Sequence, residues 1–173
     1  MADVEVNFED YSVQVLSKMD SAVGKFLLEA SAEVIAQTVR NSRTKSGKTK
    51  GAWKAEIDEE THTATIGNPL KNAVWEEFGT GEYAAEGNGR KGWWVYVRGS
   101  ETKKRKEDRK VYTKWEAIQI ANHLRKKGLD AVITNGKSPN HTLQRAFDSK
   151  KEMLKKRGTE IMALEINGMD DES

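Results

Sequence analysis

The sequence predicts an α+β fold: a small, mostly antiparallel sheet packed by a long N-terminal helix and a C-terminal helix, with an inserted strand-helix-strand unit. Residues 13–39, beginning with Val13, Leu16 and Met19, place apolar side chains three and four positions apart, which is the spacing of an amphipathic helix. Residues 53–66 instead alternate apolar and polar side chains in two short runs, as half-buried strands do. Helical spacing returns between residues 143 and 164.

The composition indicates one domain with a modest core. The chain has 173 residues, of which 36% are hydrophobic and 32% charged, and a domain of about 150 residues buries roughly 70% of its unfolded surface. We expect a single domain over residues 1–168 and a disordered acidic tail at residues 169–173. The sequence shows no apolar run long enough for a membrane span and no signal peptide at its start, so we expect synthesis in the cytoplasm. The absence of Cys agrees with a reducing compartment.

The N-terminal helix is predicted over residues 12–40, and a basic loop follows it over residues 41–51. Residues 1–33 hold seven acids and two bases, whereas residues 40–54 hold six bases and no acid. Such asymmetry suits charged surfaces that meet across subunits or touch a polyanion, and a solvated surface is the alternative. The bases that we expect to line a channel or a subunit seam are Arg43, Lys45, Lys48 and Lys50.

A hairpin, a short helix and a third strand are predicted next. The hairpin occupies residues 52–67, and the Gly-Asn-Pro sequence of residues 67–69 ends its second strand. Residues 72–78 form two turns of helix, which Gly79 ends. After a Gly-rich loop at residues 84–92, the aromatic run of residues 93–97 predicts a strand with both faces at least partly covered.

The inserted unit is predicted at about residues 98–134. Thr113 and Glu116 form a capping box that starts a helix, Gly128 ends it, and residues 129–134 form a strand. If residues 111–112 share a sheet with that strand, the connection is a right-handed parallel crossover. The last helix is predicted over residues 139–166, with these candidate buried positions: Leu143, Ala146, Phe147, Leu154, Ile161, Ala163 and Leu164.

The sequence predicts no catalytic, metal or cofactor site, and it therefore disfavours an enzyme. Residues 46–49 resemble the end of a P-loop, but Ser42 stands where that motif needs Gly, and a helix rather than a strand precedes it. Residues 87–92 satisfy a Gly-rich dinucleotide pattern, yet they lead into a strand and not into a helix. The three His lie far apart in sequence and Cys is absent, so a metal site would need carboxylates from distant elements.

Several short motifs follow one another in a characteristic order. Residues 51–55 are Gly-Ala-Trp-Lys-Ala, residues 66–68 are Ile-Gly-Asn, and residues 73–81 are Ala-Val-Trp-Glu-Glu-Phe-Gly-Thr-Gly. A final set comprises Gly136, Pro139, Leu143, Ala146 and Phe147. In this order the chain resembles the neck and tail-completion family of long-tailed bacteriophages, which joins the DNA-filled head to the tail. Two features depart from the family: the last helix lacks the usual aromatic residue after its Pro, and the inserted unit is additional.

The resemblance implies a structural virion protein that works as a ring, expected to be hexameric, and not as a catalyst. It implies as partners copies of the same chain, neighbouring head-connector proteins, and tail-tube or terminator proteins, with non-specific contact to packaged DNA and none to a membrane. The protein would be made in the host bacterium and lie at the head-tail junction. A tail terminator of that junction and a non-specific nucleic-acid-binding module that uses the basic stretches are the alternatives.

The predicted contact surface lies within residues 73–81 and comprises Trp75, Glu76, Glu77, Phe78, Gly79 and Thr80. We expect Glu76 and Glu77 to form ion pairs across a subunit interface. The alternative is that Trp75 and Phe78 fill the core beneath the sheet, with Gly79 as the helix C-cap.

Overall fold

A computed structural model describes residues 12–43, 47–99 and 110–168 of the chain. Lys45 and the tail at residues 169–173 therefore lie outside the described residues. The elements in chain order are α1 (Ser12–Asn41), α2 (Gly47–Lys50), β1 (Lys54–Asp58), β2 (Thr63–Gly67), α3 (Lys71–Phe78), β3 (Thr80–Gly81), β4 (Trp94–Val97), α4 (Lys114–Lys126), β5 (Ala131–Thr134), β6 (Gly136–Lys137) and α5 (Thr142–Asn167). The strands pair in antiparallel twos, and the long helices lie near the two ends of the chain, which confirms the α+β class.

The contacts of the chain group into two compact units, and the single domain over residues 1–168 stays a prediction. Unit 1 comprises Met1–Asn41, Lys50–Asn68 and Leu143–Ser173, and unit 2 comprises Ser42–Thr49 and Pro69–Thr142. Among the described elements, α1, the β1–β2 hairpin and α5 belong to unit 1. The elements of unit 2 are α3, α4 and strands β3 to β6.

The hairpin of unit 1 confirms the prediction for residues 52–67. Strands β1 and β2 pair antiparallel, with Ile57 opposite Ala64 and Ala55 opposite Ile66. These four side chains share the half-buried face of the hairpin, and α1 packs against both strands. At the turn, the Asp58 carboxylate accepts hydrogen bonds from backbone nitrogens, and the bond from Thr61 holds its pKa below the ordinary range.

Helices α1 and α5 pack antiparallel in unit 1. Three ion pairs join them: Lys25 with Glu165, Glu29 with Arg157, and Glu33 with Lys150. The residue numbers rise along α1 and fall along α5, as antiparallel packing requires. Pairs at this exposure contribute little stability individually, so burial of apolar side chains supplies most of the stabilisation. The core consists of Val34, Ala146 and Leu154, with Phe26, Ala30, Ile66 and Leu143 packed around it.

Several apolar positions that the sequence places in the core are exposed. Ala146, Leu154 and Ile161 are buried and Leu143 is partly buried, as predicted, but Phe147, Ala163 and Leu164 are exposed. Of the predicted apolar positions on α1, Val13, Leu16 and Met19 are exposed. The physical reason is length: a 30-residue helix spans about 45 Å and a five-residue strand about 17 Å, so the hairpin covers only part of α1.

The centre of unit 2 is a pair of strands with a helix against it. Strand β4 pairs antiparallel with β5, and Trp93 forms an antiparallel bridge with Tyr112. Both segments that flank α4 thus pair with the aromatic strand, instead of pairing directly in the parallel crossover that the sequence suggests. Helix α4 packs on β4 and β5, and it begins with the predicted Thr113–Glu116 capping box. Of the described helices, none has the length and apolar character that a membrane span requires.

We expect Gly158→Val to destabilise the protein by about 1–3 kcal/mol. Gly158 allows α5 to approach α1, because a Cβ added there would lie 3.2 Å from the ring of Phe26. The matched control is Gly24→Val on α1, where an added Cβ meets nothing within 4 Å. We expect this change to be neutral or mildly stabilising, since Gly is the poorer helix former. Urea unfolding measures both, and equal stability of the two variants would contradict the close packing of α1 and α5.

Candidate functional site

The segment at residues 73–81 forms a helix, a turn and a short strand in unit 2. Helix α3 ends at Phe78, and Gly79 follows with a positive φ of 71° and a backbone N–H that donates to the Trp75 carbonyl at 3.1 Å. This confirms the predicted short helix and its glycine cap. Strand β3 then pairs with β6, and the Thr80 hydroxyl accepts a hydrogen bond from the Lys137 backbone at 3.0 Å.

Glu76 is the buried residue of this segment, with only 2% of its surface exposed. Its Oε1 accepts hydrogen bonds from the Arg43 backbone nitrogen at 3.3 Å and from Arg43 Nε at 3.1 Å, and its Oε2 accepts from Lys137 Nζ. The same Arg43 also donates from Nη2 to the Ser138 carbonyl at 2.9 Å. One carboxylate therefore joins three segments of unit 2: the residues after α1, helix α3 and strand β6.

The surroundings of Glu76 keep its carboxylate ionised. Burial by itself raises the pKa, but the hydrogen bonds from Lys137 and Arg43 and the positive charge of Lys137 outweigh it, so the pKa of Glu76 lies below the ordinary value. A buried carboxylate without such partners would take up a proton instead.

The contact surface predicted at residues 75–80 contains both buried and exposed residues in the structure. Glu76, expected to pair with another subunit, pairs inside its own unit, and Gly79 is buried. Trp75 and Phe78 are each 49% exposed, so neither is a core side chain, and Glu77 and Thr80 are partly exposed. Helical geometry explains the division, because residues three apart share a face: Ala73 and Glu76 point inward, and Trp75 and Phe78 point outward.

The basic loop also differs from its prediction. Arg43 is committed to Glu76, whereas Lys48 is exposed and Lys50 partly exposed. The short helix α2 lies where a loop over residues 41–51 was predicted. Among the described bases of this stretch, Lys48 and Lys50 are thus the better candidates for contact with a neighbour or a polyanion.

Two glycines of the segment are required by close backbone contacts. A Cβ on Gly81 would lie 2.2 Å from the Asn135 carbonyl, and one on Gly79 would lie 2.7 Å from the Lys137 carbonyl. Both have a positive φ, which side chains rarely adopt. The Gly-Thr-Gly sequence of the motif therefore serves the pairing of β3 with β6, and its glycines have structural roles.

A cleft of about 880 Å³ opens beside this pairing, wholly within unit 2. Glycines of the turns line part of it, including Gly79, Gly81 and Gly136. Four aromatic side chains also line it: Trp75, Trp94, Tyr96 and Tyr112. Three basic side chains line it as well: Arg90, Lys110 and Lys137. None of the described residues that line the cleft is acidic, so it combines aromatic ring faces with positive charge.

Hydrogen bonds and a cation–π contact hold the walls of the cleft. The Arg90 guanidinium lies over the Trp94 ring, 4.7 Å from its centroid. The Glu82 carboxylate accepts from Asn135 Nδ2 at 2.7 Å and from the Gly92 backbone at 2.9 Å, and these two bonds lower its pKa. Because Glu82 joins the start of the Gly-rich loop to its end, the predicted loop at residues 84–92 has fixed ends.

The residues of the cleft were not predicted to lie together. Arg90 precedes the aromatic strand and Tyr96 lies in it. Lys110 and Tyr112 reach the cleft through the bridge between Trp93 and Tyr112, and Lys137 reaches it through the pairing of β3 with β6. The only local signal was the occurrence of Arg90 close to Trp93 and Trp94. The described residues contain no group of three or more His, Cys, Asp or Glu arranged to hold a metal ion.

We expect Glu76→Gln to destabilise the protein by about 2–4 kcal/mol at neutral pH, because it removes a charged acceptor from two basic partners. Since the pKa of Glu76 is lowered on folding, its contribution is complete above the ordinary value of 4.5 and is lost as the pH falls through the folded-state pKa. The difference from wild type should therefore shrink in acid. Urea unfolding at several pH values measures it, with Glu59→Gln at the exposed hairpin turn as control, and a pH-independent difference would contradict this role.

We expect Gly81→Ala to destabilise the protein by more than 2 kcal/mol, a rough sum of the left-handed backbone and the clash with Asn135. The matched control is Gly87→Ala, which also has a positive φ but meets nothing within 4 Å. That change should cost only about 1–2 kcal/mol. Thermal unfolding compares the two, and similar melting temperatures would argue against close packing of β3 on β6.

Comparisons of this chain with protein-family models, with curated proteins and with solved structures give no match.

Proposed function

We propose that this protein is a structural component of the head-tail junction of a long-tailed bacteriophage, acting as a neck or tail-completion ring in the virion. The observation that carries the proposal is the order of motifs around residues 73–81, with an aromatic pair that α3 presents to solvent. Trp75 and Phe78 are each half exposed, although large apolar side chains are usually covered. Contact with a partner would cover them.

The support beneath this pair suits a contact surface. Aromatic residues are enriched at the centres of protein interfaces, and rigid residues lose less conformational entropy on binding. On the buried face of helix α3, the Glu76 side chain accepts hydrogen bonds from Arg43 and Lys137. At the C-terminal end of the helix, the Asn140 backbone N–H donates to the Glu76 carbonyl and the His141 backbone N–H donates to the Glu77 carbonyl. The pair is therefore displayed on a helix that is already fixed in place.

Subunit contact in a ring would draw on exposed apolar residues as well as on charge. Glu29 and Glu33, part of the acidic first helix, pair with Arg157 and Lys150 inside unit 1, so their charges are already partly neutralised. Val13 and Leu16 on α1 are exposed and apolar, and so is Leu164 on α5. These residues extend the proposed contacts to unit 1, because heterologous interfaces in a ring use two different faces of each subunit.

Particles assembled without this protein test the proposal directly. The expected result by electron microscopy is filled heads and separate tails that do not join. Normal virions, with the protein's absence verified by mass spectrometry, would refute a joining role.

We expect Phe78→Ser to reduce the fraction of joined particles strongly, because truncating a central interface aromatic commonly costs about 2 kcal/mol or more at each contact. Phe78 is half exposed, so circular dichroism should show an intact fold. Trp115→Ser on α4 is the matched control, since Trp115 is an aromatic residue that is 69% exposed and belongs neither to the motif residues nor to the proposed contacts. Counting joined particles after complementation with each variant gives the result. Wild-type joining by Phe78→Ser would place the contact surface elsewhere.

A further inference from the structure

We infer that the cleft of unit 2 binds single-stranded nucleic acid, with unpaired bases stacked on its aromatic rings and the phosphates beside its basic side chains. The cleft shares Trp75 with the proposed contact surface but not Phe78, which does not line it, and the inference does not depend on the proposed junction role.

The aromatic side chains supply the stacking surface. Trp75 is 49% and Tyr96 42% exposed, so both rings are accessible in the cleft, and Trp94 lies deeper beneath Arg90. Stacking of bases on aromatic rings is tolerant of sequence, because every base presents a planar π face. An exposed Trp and Tyr at one cleft thus favour a ligand that contains planar groups.

The charges favour an anion. Arg90, Lys110 and Lys137 line the cleft, and none of the described lining residues is acidic. Lys137 is paired with Glu76, and Arg43 pairs with the same carboxylate. These three side chains together therefore carry a net positive charge. A cleft of this charge attracts the phosphates of a nucleic acid backbone.

The size and shape of the cleft exclude a duplex from the same mode of binding. A volume of about 880 Å³ lies within the range of small-ligand pockets, roughly 300–1,000 Å³. Stacking on a protein ring also requires a base that is not already stacked in a helix. An acidic peptide would satisfy the charge, but glutamate and aspartate side chains have no aromatic ring to stack on Trp75 and Tyr96.

The test measures the fluorescence anisotropy of a labelled oligo(dT) titrated with the full-length protein at several salt concentrations. The expected result is saturable binding that weakens with salt, with a logarithmic slope of about −2 for three basic residues. The same strand in a duplex, free dTMP and a poly-glutamate peptide serve as competitors. We expect each of them to compete more weakly than unlabelled oligo(dT).

Variants locate the site. Trp75→Ala and Tyr96→Ala should each weaken binding about fivefold to a hundredfold, whereas Trp75→Phe should restore most of the affinity. The matched control is Trp115→Ala on α4, because Trp115 is 69% exposed and does not line the cleft. It should bind as wild type does, and circular dichroism should show that every variant is folded.

Four outcomes would overturn the inference. These are no binding of oligo(dT) at low salt, wild-type affinity in both alanine variants, competition by dTMP equal to that of the strand, and preferential binding of the duplex or of poly-glutamate. None of them bears on whether heads and tails join, so failure here is distinguishable from failure of the proposed function.

Discussion

The ionised carboxylate of Glu76 is the constraint on which unit 2 depends. A carboxylate with 2% exposure is costly unless its lone pairs are filled, and here Arg43 and Lys137 fill them. Because those partners come from separate segments, the carboxylate fixes α3 against β6 and against the residues after α1. The cleft and the exposed aromatic pair both lie on this framework, since Lys137 and Trp75 line the cleft and Phe78 ends α3.

The segment at residues 73–81 thus has two sets of residues with different roles. Ala73, Glu76 and the two glycines hold the fold, through burial, hydrogen bonds and close backbone packing. Trp75 and Phe78 lie on the outer face and are available for contact. A rigid lower face makes the outer face a defined surface, which suits both the proposed junction contact and the inferred stacking of bases on Trp75.

Features that depend on neighbouring residues were predictable from the sequence. The α+β class, the hairpin, the Thr113–Glu116 capping box and the glycine end of α3 follow from periodicity and local hydrogen bonding. The three-residue spacing of Ala73 and Glu76 was also a usable sign that both share the inner face. The basic partners of Glu76 were not predictable, because Arg43 and Lys137 lie 33 and 61 residues away from it in sequence. The exposed ends of α1 and α5 were missed because periodicity shows which face is apolar and not how much of it is covered.

The most direct test of this account is the pKa of the Glu76 carboxyl, measured by carbon-detected NMR titration of the full chain. The account predicts a value below the ordinary 4.5, and a rise toward it in Lys137→Ala, which removes one of the two basic partners. A pKa of Glu76 at or above the ordinary value, unchanged in Lys137→Ala, would contradict the buried ion pair as the framework of unit 2.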